Sequence, residues 1–313
     1  MATSDRSQHQ LDKLIAKAID ARPVTTAVVH PVDHNSLVGA IEAKNKGLIE
    51  PVLVGPKEKI LAQAKESELS LEGIEIIEVA HSHEAATKAC QLAKESRVEC
   101  IMKGGLSSGE LLSAIVSRSS GIRTERRLSH AFVFDIPQYH KPLIICDAAI
   151  NIQPDLDTKR DIIQNAIDLC RALGTATPKV AILAAIEKVK ASMPSTIDAA
   201  ALCKMADRGQ IKNGILDGPL AFDNAISLQA AVDKHIESPV SGEADILIAP
   251  DLEAANMLAK QLMYLANATS AGIALGAKVP VILTSRSETG PARLASCALA
   301  SHLVHQHTLA AKD

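Results

Sequence analysis

Short runs of β-branched residues alternate with longer helix-forming stretches along almost all of this chain. TTAVVH, PVLVG, IEIIEVA and ECIMKG have the composition of buried strands. Each is followed by a stretch with the apolar spacing of a helix: DHNSLVGAIEAKNKG, PKEKILAQAKESE, HEAATKACQLAKES and SSGELLSAIVSRS. Because strands that alternate with helices build a parallel sheet covered by helices, the chain is predicted to be an α/β protein.

The alternation pauses once and then resumes. HAFVFDI and PLIICDAAI have no helix between them, which predicts an antiparallel pair. A second round begins with the helix TKRDIIQNAIDLCRALG, includes one helix over AFDNAISLQAAVDK, and ends with the strand VPVILTS and a long closing helix. Since 313 residues exceed one typical core, we expect two domains with a boundary near residue 149.

The net charge and the aromatic content of the sequence argue against some classes of binding partner. The formal net charge is -3, no run of Lys or Arg exceeds two residues, and the chain has no Trp, two Tyr and three Phe. These values disfavour binding to nucleic acid or to a membrane surface. No apolar stretch approaches the roughly 20 residues that span a bilayer, and the polar start MATSDRSQHQ lacks a signal-peptide core. A cytoplasmic protein is expected.

The six cysteines do not form a recognisable framework. They lack a CxxC pair and any Cys/His spacing typical of zinc ligands. We therefore expect reduced, mostly buried thiols and no metal site.

Five strand-to-helix junctions carry the polar residues of functional interest: MKGGLSSGE, DAAINIQP, DGPLAFDNA, APDLEAAN and TSRSETG. Ligands of α/β sheets bind at the carboxyl ends of the strands. Junctions from both halves of the chain predict an active-site cleft between the two domains.

The first junction holds a lysine followed by two glycines. Gly104 and Gly105 would let backbone amides approach an anion at a helix N-terminus, with the ammonium of Lys103 beside it. The alternative is that Lys103 simply ends the strand at the surface.

The same junction also satisfies G-x-S-x-G. As a nucleophile elbow, Ser107 would act with Asp147 and with His302 or His305, which describes a serine hydrolase. A helix N-cap explains Ser107 and Ser108 equally well.

Arginines occur at two further positions of interest. Arg123, Arg126 and Arg127 either grip a phosphate bidentately or belong to a solvated loop. Ser285 and Arg286 follow a buried strand, where they bind a ligand or serve as a helix cap beside a surface arginine.

Eight stretches, in order from about residue 100 to about residue 290, together resemble the phosphate acetyl/butyryl transferase family. Within it they resemble the phosphate butyryltransferase-like branch more than the classical acetyltransferases. They are MKGGLSSGELLSAI, GIRTERRLSHAFVFD, DAAINIQPDL, PKVAILAAIEKV, MPSTIDAAALCKMADRGQI, DGPLAFDNAIS, ADILIAPDLEAANMLAK and PVILTSR. The first hundred residues match only in general pattern.

The resemblance implies the reaction acyl-CoA + phosphate ⇌ acyl phosphate + CoA, by direct thiol attack without an acyl-enzyme. It implies a homo-oligomer of two α/β domains, with the C-terminal segment returning to the first: residues 1–148 with about 290–313, and residues 149–289. CoA is then a substrate, and no metal or prosthetic group is implied.

The resemblance also assigns roles to residues of this chain. Ser285 would hydrogen-bond the CoA thiol or the developing intermediate, and Arg286 would bind the phosphoryl group. The candidate substrate contacts are Lys103, Ser107 and Ser108 for phosphate, Arg123 for CoA or phosphate, and Asn256 for orienting the acyl phosphate.

Two departures from the family pattern limit these assignments. The Asp proposed as thiol base shortly after the Ser-Arg pair is absent, and Glu288 is the nearest acidic substitute. Ala255 and Ala259 replace the usual Gly and Tyr, which leaves the acyl chain length open between acetyl and butyryl. A serine hydrolase using Ser107 and a non-catalytic acyl-CoA-binding protein stay as alternatives.

Overall fold

The computed structural model describes residues 9–283 and 290–310, without the side chains of residues 9 and 307–310. The helices are α1 His9–Ile19, α2 His34–Asn45, α3 Lys57–Glu66, α4 Ser82–Lys94, α5 Ser108–Val116, α6 Leu156–Ala172, α7 Pro194–Asp207, α8 Phe222–Ile226, α9 Leu228–Asp233, α10 Leu252–Leu265 and α11 Gly290–Ala310. The strands are β1 Val24–Val29, β2 Ile49–Gly55, β3 Glu75–Glu78, β4 Cys100–Lys103, β5 Ser129–Asp135, β6 Leu143–Cys146, β7 Lys179–Leu183, β8 Ile215–Leu220, β9 Ile246–Ile248, β10 Thr269–Leu275 and β11 Val281–Ile282. The α/β class predicted from the sequence is confirmed.

The chain packs into two compact units. One contains residues 1–11 and 129–270, and the other contains residues 12–128 and 271–313. The domain limits expected from the resemblance stay a prediction, as does the cleft.

The unit of residues 12–128 and 271–313 has the strand order β3-β2-β1-β4-β11-β10. The first five strands are parallel, and β10 runs antiparallel to β11. Val28, Leu53 and Ile101 are fully buried. The carboxyl ends of β1, β4 and β11 therefore meet at one edge of this sheet.

The unit of residues 1–11 and 129–270 has the order β5-β6-β9-β7-β8. Strands β6, β9, β7 and β8 are parallel, whereas β5 is antiparallel to β6 as predicted. The core is dominated by aliphatic side chains, with Phe134 as its largest fully buried member. The low aromatic content of the sequence is thus reflected in a core built mostly from Ala, Leu, Ile and Val.

Three elements differ from the sequence predictions. The single helix expected over AFDNAISLQAAVDK is two, because Ser227 has extended backbone and its hydroxyl accepts from Ala230 N–H to start α9. Strand β10 was not predicted, since TSAGIAL is rich in residues of low strand propensity. Helix α1 was not predicted either, although Leu11, Leu14 and Ala18 form its buried face.

None of the helices in the described ranges has both the length and the apolar character needed to cross a membrane. All six cysteines are free, and five of them are buried, Cys203 being half-buried. The expectation of mostly buried thiols is confirmed.

Candidate active site

A buried lysine ends strand β4. Lys103 is only 7% exposed, and its ammonium donates to Gly104 O at 3.3 Å. The alternative interpretation, a lysine that ends the strand at the surface, is wrong. Helix α5 begins five residues later, so the ammonium belongs to the turn that leads into a helix N-terminus, where anions are favoured.

The two glycines after Lys103 are required by close packing of backbone. A Cβ on Gly104 would lie 2.3 Å from Val29 O, and one on Gly105 would lie 2.6 Å from Asp33 Oδ2. The amides of Gly104 and Gly105 donate to Val29 O and His30 O at 2.9 and 2.8 Å. The turn after β4 is therefore fixed against the turn after β1.

Ser107 is the N-cap of α5. Its hydroxyl accepts from Glu110 N–H at 3.1 Å, and both Ser107 and Ser108 are exposed. The capping interpretation is confirmed for Ser107, and both hydroxyls lie at the N-terminus of the helix.

The partners expected for a hydrolase have other contacts within their own units. Asp147 accepts the N–H groups of Ala149 and Ile150, both at 3.0 Å, and the side-chain amide of Asn151 at 2.6 Å. His302 Nε2 donates to Leu14 O at 2.9 Å, and burial lowers the pKa of its ring. Asp147 thus organises its own loop, and His302 fastens α11 to α1.

Ser285, Arg286 and Glu288, expected to carry the chemistry, lie outside the described residues. Strand β11 pairs in parallel with β4, with Ile282 opposite Met102. The chain therefore leaves β11 at the level of Lys103, and Ser285 follows three residues after Ile282 in the sequence.

Arg123 lies in the exposed loop before β5. Its backbone forms an isolated bridge with Ala277, and the hydroxyl of neighbouring Thr124 donates to Gly276 O at 2.6 Å. Arg126 and Arg127 are exposed as well. The loop is thus held by the backbone of Arg123 and the hydroxyl of Thr124, while the side chain of Arg123 is exposed.

In the other unit, Asn256 lies on the second turn of α10. Its side-chain amide donates to Ala148 O at 3.0 Å, which holds the loop after β6. Asp251 caps the same helix by accepting from Ala254 N–H at 2.8 Å. Asn256 therefore lies beside the loop at the carboxyl end of β6, and its role in orienting the acyl phosphate stays a prediction.

A buried histidine at this edge was missed from the sequence. His130 is 2% exposed, and its ring lies edge-on to Phe132 at 4.5 Å between centroids. Burial lowers the pKa of His130 to about 4, against a smaller opposing influence of Asp147. The imidazole is therefore neutral near pH 7. The signal was the SHAF stretch, in which a polar residue occupies a buried strand position.

In residues 9–283 and 290–310, no three His, Cys, Asp or Glu side chains are grouped so as to hold a metal ion.

Residues 80–301 match the family model described as phosphate acetyl/butaryl transferase. The chain belongs to this family. The family and the phosphate acyltransferase activity predicted from the motifs are confirmed.

Curated relatives and solved structures agree with this membership. A phosphate acetyltransferase of Rickettsia typhi is 56% identical over 94% of this chain and 84% of its own. One of Rhizobium meliloti is 56% identical over 93% of this chain and 92% of its own, and a phosphate butyryltransferase of Clostridium beijerinckii is 37% identical over 93% and 96%. The crystal structure of a branched-chain phosphotransacylase from Enterococcus faecalis V583 superposes with a TM-score of 0.79 at 26% identity, covering 90% of this chain and 99% of that one.

Proposed function

We propose that this chain transfers an acetyl group between CoA and phosphate. The observation that carries the choice of acetyl is the identity of 56% to proteins named phosphate acetyltransferase, against 37% to one named phosphate butyryltransferase. The buried Lys103 at the N-terminal end of α5 supports an anionic substrate.

The proposed chemistry is direct displacement. The CoA thiolate attacks the carbonyl carbon of the acyl phosphate and a C–S bond forms. The bond between that carbon and the bridging oxygen breaks, and phosphate leaves with the oxygen and both electrons of the bond. Ser285 holds the thiol or the oxyanion, Arg286 binds the phosphoryl group, and Glu288 takes the thiol proton. A donor aimed at such an oxyanion contributes about 3 kcal/mol to lowering the barrier.

Substrate binding is proposed for the remaining residues. Lys103, Ser107 and Ser108 contact phosphate at the start of α5, Arg123 contacts CoA or phosphate, and Asn256 orients the acyl phosphate. CoA acts as a substrate, and neither a metal nor a prosthetic group takes part. Dialysis against a chelator should therefore leave the rate unchanged.

The test is thioester formation, followed by ultraviolet absorbance, from CoA and acetyl, propionyl or butyryl phosphate. Wild type should be fastest with acetyl phosphate, and Ser285→Ala should lose about a hundredfold or more in kcat. Ser107→Ala should still form thioester, with a higher KM for acyl phosphate because one phosphate contact is lost. Lys103→Met should lower kcat/KM for acyl phosphate strongly, whereas Lys94→Met, at the exposed end of α4, should not.

Two outcomes would replace the proposal. Ester hydrolysis that disappears in Ser107→Ala, with no thioester from any acyl phosphate, would identify a serine hydrolase. Tight binding of acyl-CoA without turnover would identify a binding protein.

We also propose that the chain forms a homo-oligomer in the cytoplasm. Met257, Tyr264 and Leu265 are strongly exposed on α10, spaced as one face of a helix, and this supports contact with a second copy. Sedimentation should give a multiple of 33.1 kDa, and Tyr264→Lys with Leu265→Lys should shift it toward the monomer. A wild-type monomer at micromolar concentration would contradict this.

A further inference from the structure

An arginine is buried in the first turn of helix α11. Arg293 is only 6% exposed, although guanidinium groups are rarely buried without a specific partner. Its Nη1 donates to Asn35 O at 2.6 Å, and Asn35 lies in the first turn of α2. The start of α11 is therefore tied to the start of α2.

Gly39 provides the space that this side chain occupies. A Cβ at position 39 would lie 2.3 Å from Arg293 Cδ and 2.6 Å from its Nη1. Glycine is unfavourable inside a helix. The φ angle of Gly39 is not in the left-handed region, so the backbone conformation does not require glycine at this position. The side chain of Arg293 crosses α2 at this point, which explains why position 39 is a glycine.

The first turn of α2 also contacts the turn that carries Lys103. Asp33 caps α2 by accepting from Ser36 N–H at 3.0 Å, and the same carboxylate lies where a Cβ on Gly105 would approach to 2.6 Å. Two parts of the chain, the β4–α5 turn and the start of α11, therefore rest on the N-terminal end of one helix.

We propose that Arg293 is a positioning residue for acyl transfer. Arg293 lies eight residues after Ser285 in the sequence, and it fixes the start of α11 relative to the turn that carries Lys103. The absence of a side chain at Gly39 leaves the space that Arg293 occupies. The proposal rests on the acyl transfer proposed above. A displacement of about 1 Å in reacting groups is enough to cost about a hundredfold in rate.

The first test compares variants that move the guanidinium with one that only weakens α2. Arg293→Ala removes the contact, and Gly39→Ala displaces an intact Arg293. Both should lower kcat by roughly ten- to a hundredfold with KM values within about threefold of wild type. Ala40→Gly removes a buried methyl from the same helix and is the matched control, with a lower Tm and an unchanged kcat.

The second test is the double variant Gly39→Ala with Arg293→Ala. Because the added methyl then enters vacated space, it should cost little further kcat and little further Tm, so the two changes should be strongly non-additive. Arg293→Lys, which keeps a cation able to reach Asn35 O, should recover part of kcat.

Additive losses, or a kcat that falls equally in Ala40→Gly, would overturn the positioning role and leave a packing contact. A wild-type protein that forms no thioester would overturn the proposed function instead, and the non-additivity in Tm would still report on the Gly39–Arg293 packing separately.

Discussion

The burial of His130 makes the free energy of unfolding depend on pH. Because burial holds the folded pKa at about 4, below the ordinary value of 6.5, the unfolded chain binds the proton more readily. The stabilisation is complete above about pH 6.5 and is lost as the pH falls toward 4. The full loss is about 3 kcal/mol.

Urea unfolding at pH 7 and at pH 4.5 measures this dependence. His130→Gln should show a flatter pH dependence of the unfolding free energy than wild type, because the buried imidazole that takes up a proton on unfolding is gone. Equal pH slopes for wild type and His130→Gln would show that His130 does not titrate with a lowered pKa.

Ser107 stabilises the N-terminus of α5 through its hydroxyl. Ser107→Ala should lower the unfolding free energy by about 1 kcal/mol because Glu110 N–H loses its acceptor, and Ser107→Asp should restore most of it. Chemical denaturation of the three proteins checks this. A stable alanine variant would mean that water replaces the cap at no cost.

At the scale of elements, α1 is held by a carboxylate distant in sequence. Asp135 Oδ2 accepts the N–H groups of Gln10 and Leu11 at 3.1 and 3.4 Å, at the positive end of the helix. Asp135→Asn should lower the stability of α1 by about 1 kcal/mol. Amide exchange across residues 12–19 should therefore be roughly fivefold faster than in wild type.

Hydrogen exchange read by mass spectrometry resolves that helix from the rest. Asp12→Asn removes an exposed carboxylate from the same first turn and should change exchange less than Asp135→Asn. The opposite order would show that the exposed carboxylate dominates at this helix end.

The same helix shows which elements sequence patterns predict. Strands β1, β2 and β4 were found because short, mostly apolar runs are typical of strands that are buried on both faces. Helix α1 depends on a contact 125 residues away. Strand β10 is built from small residues, and its Gly272 N–H donates to the buried Ser296 hydroxyl of α11. Such long-range contacts leave no periodic signal in the chain.

At the scale of the whole molecule, the thiols should be inert. Burial raises the pKa of Cys90 to about 11 and that of Cys170 and Cys203 to about 12, so the nucleophilic thiolate is scarce. A disulfide reagent at pH 8 should titrate fewer than about one thiol per native chain and all six after unfolding.

Cys203→Ser should abolish whatever slow native reaction occurs, because Cys203 is the half-buried member of the set. Rapid loss of several native thiols would contradict the burial described here. Inert protein thiols also mean that release of the CoA thiol can be followed by the same reagent without interference.

The candidate site was partly readable from the sequence. Lys103 was singled out because polar residues at the carboxyl ends of parallel strands point to ligands, and Asn256 because of the family resemblance; the roles of both stay predictions. Ser285, Arg286 and Glu288 stay predictions. Arg293 and Gly39 carry no such signal, since their relation depends on two helices crossing more than 250 residues apart in the chain.

The unit made of residues 12–128 and 271–313 is interrupted in sequence, with β11 beside β4 and α11 against α2. A ribosome makes the chain in one direction, so the edge of β4 that pairs with β11 has no partner strand until residues 281–282 have been synthesised. The nascent protein must therefore keep an open strand edge out of contact with other chains while the intervening unit is still being synthesised. Completion of this unit therefore waits until the whole intervening unit, residues 129–270, has been synthesised.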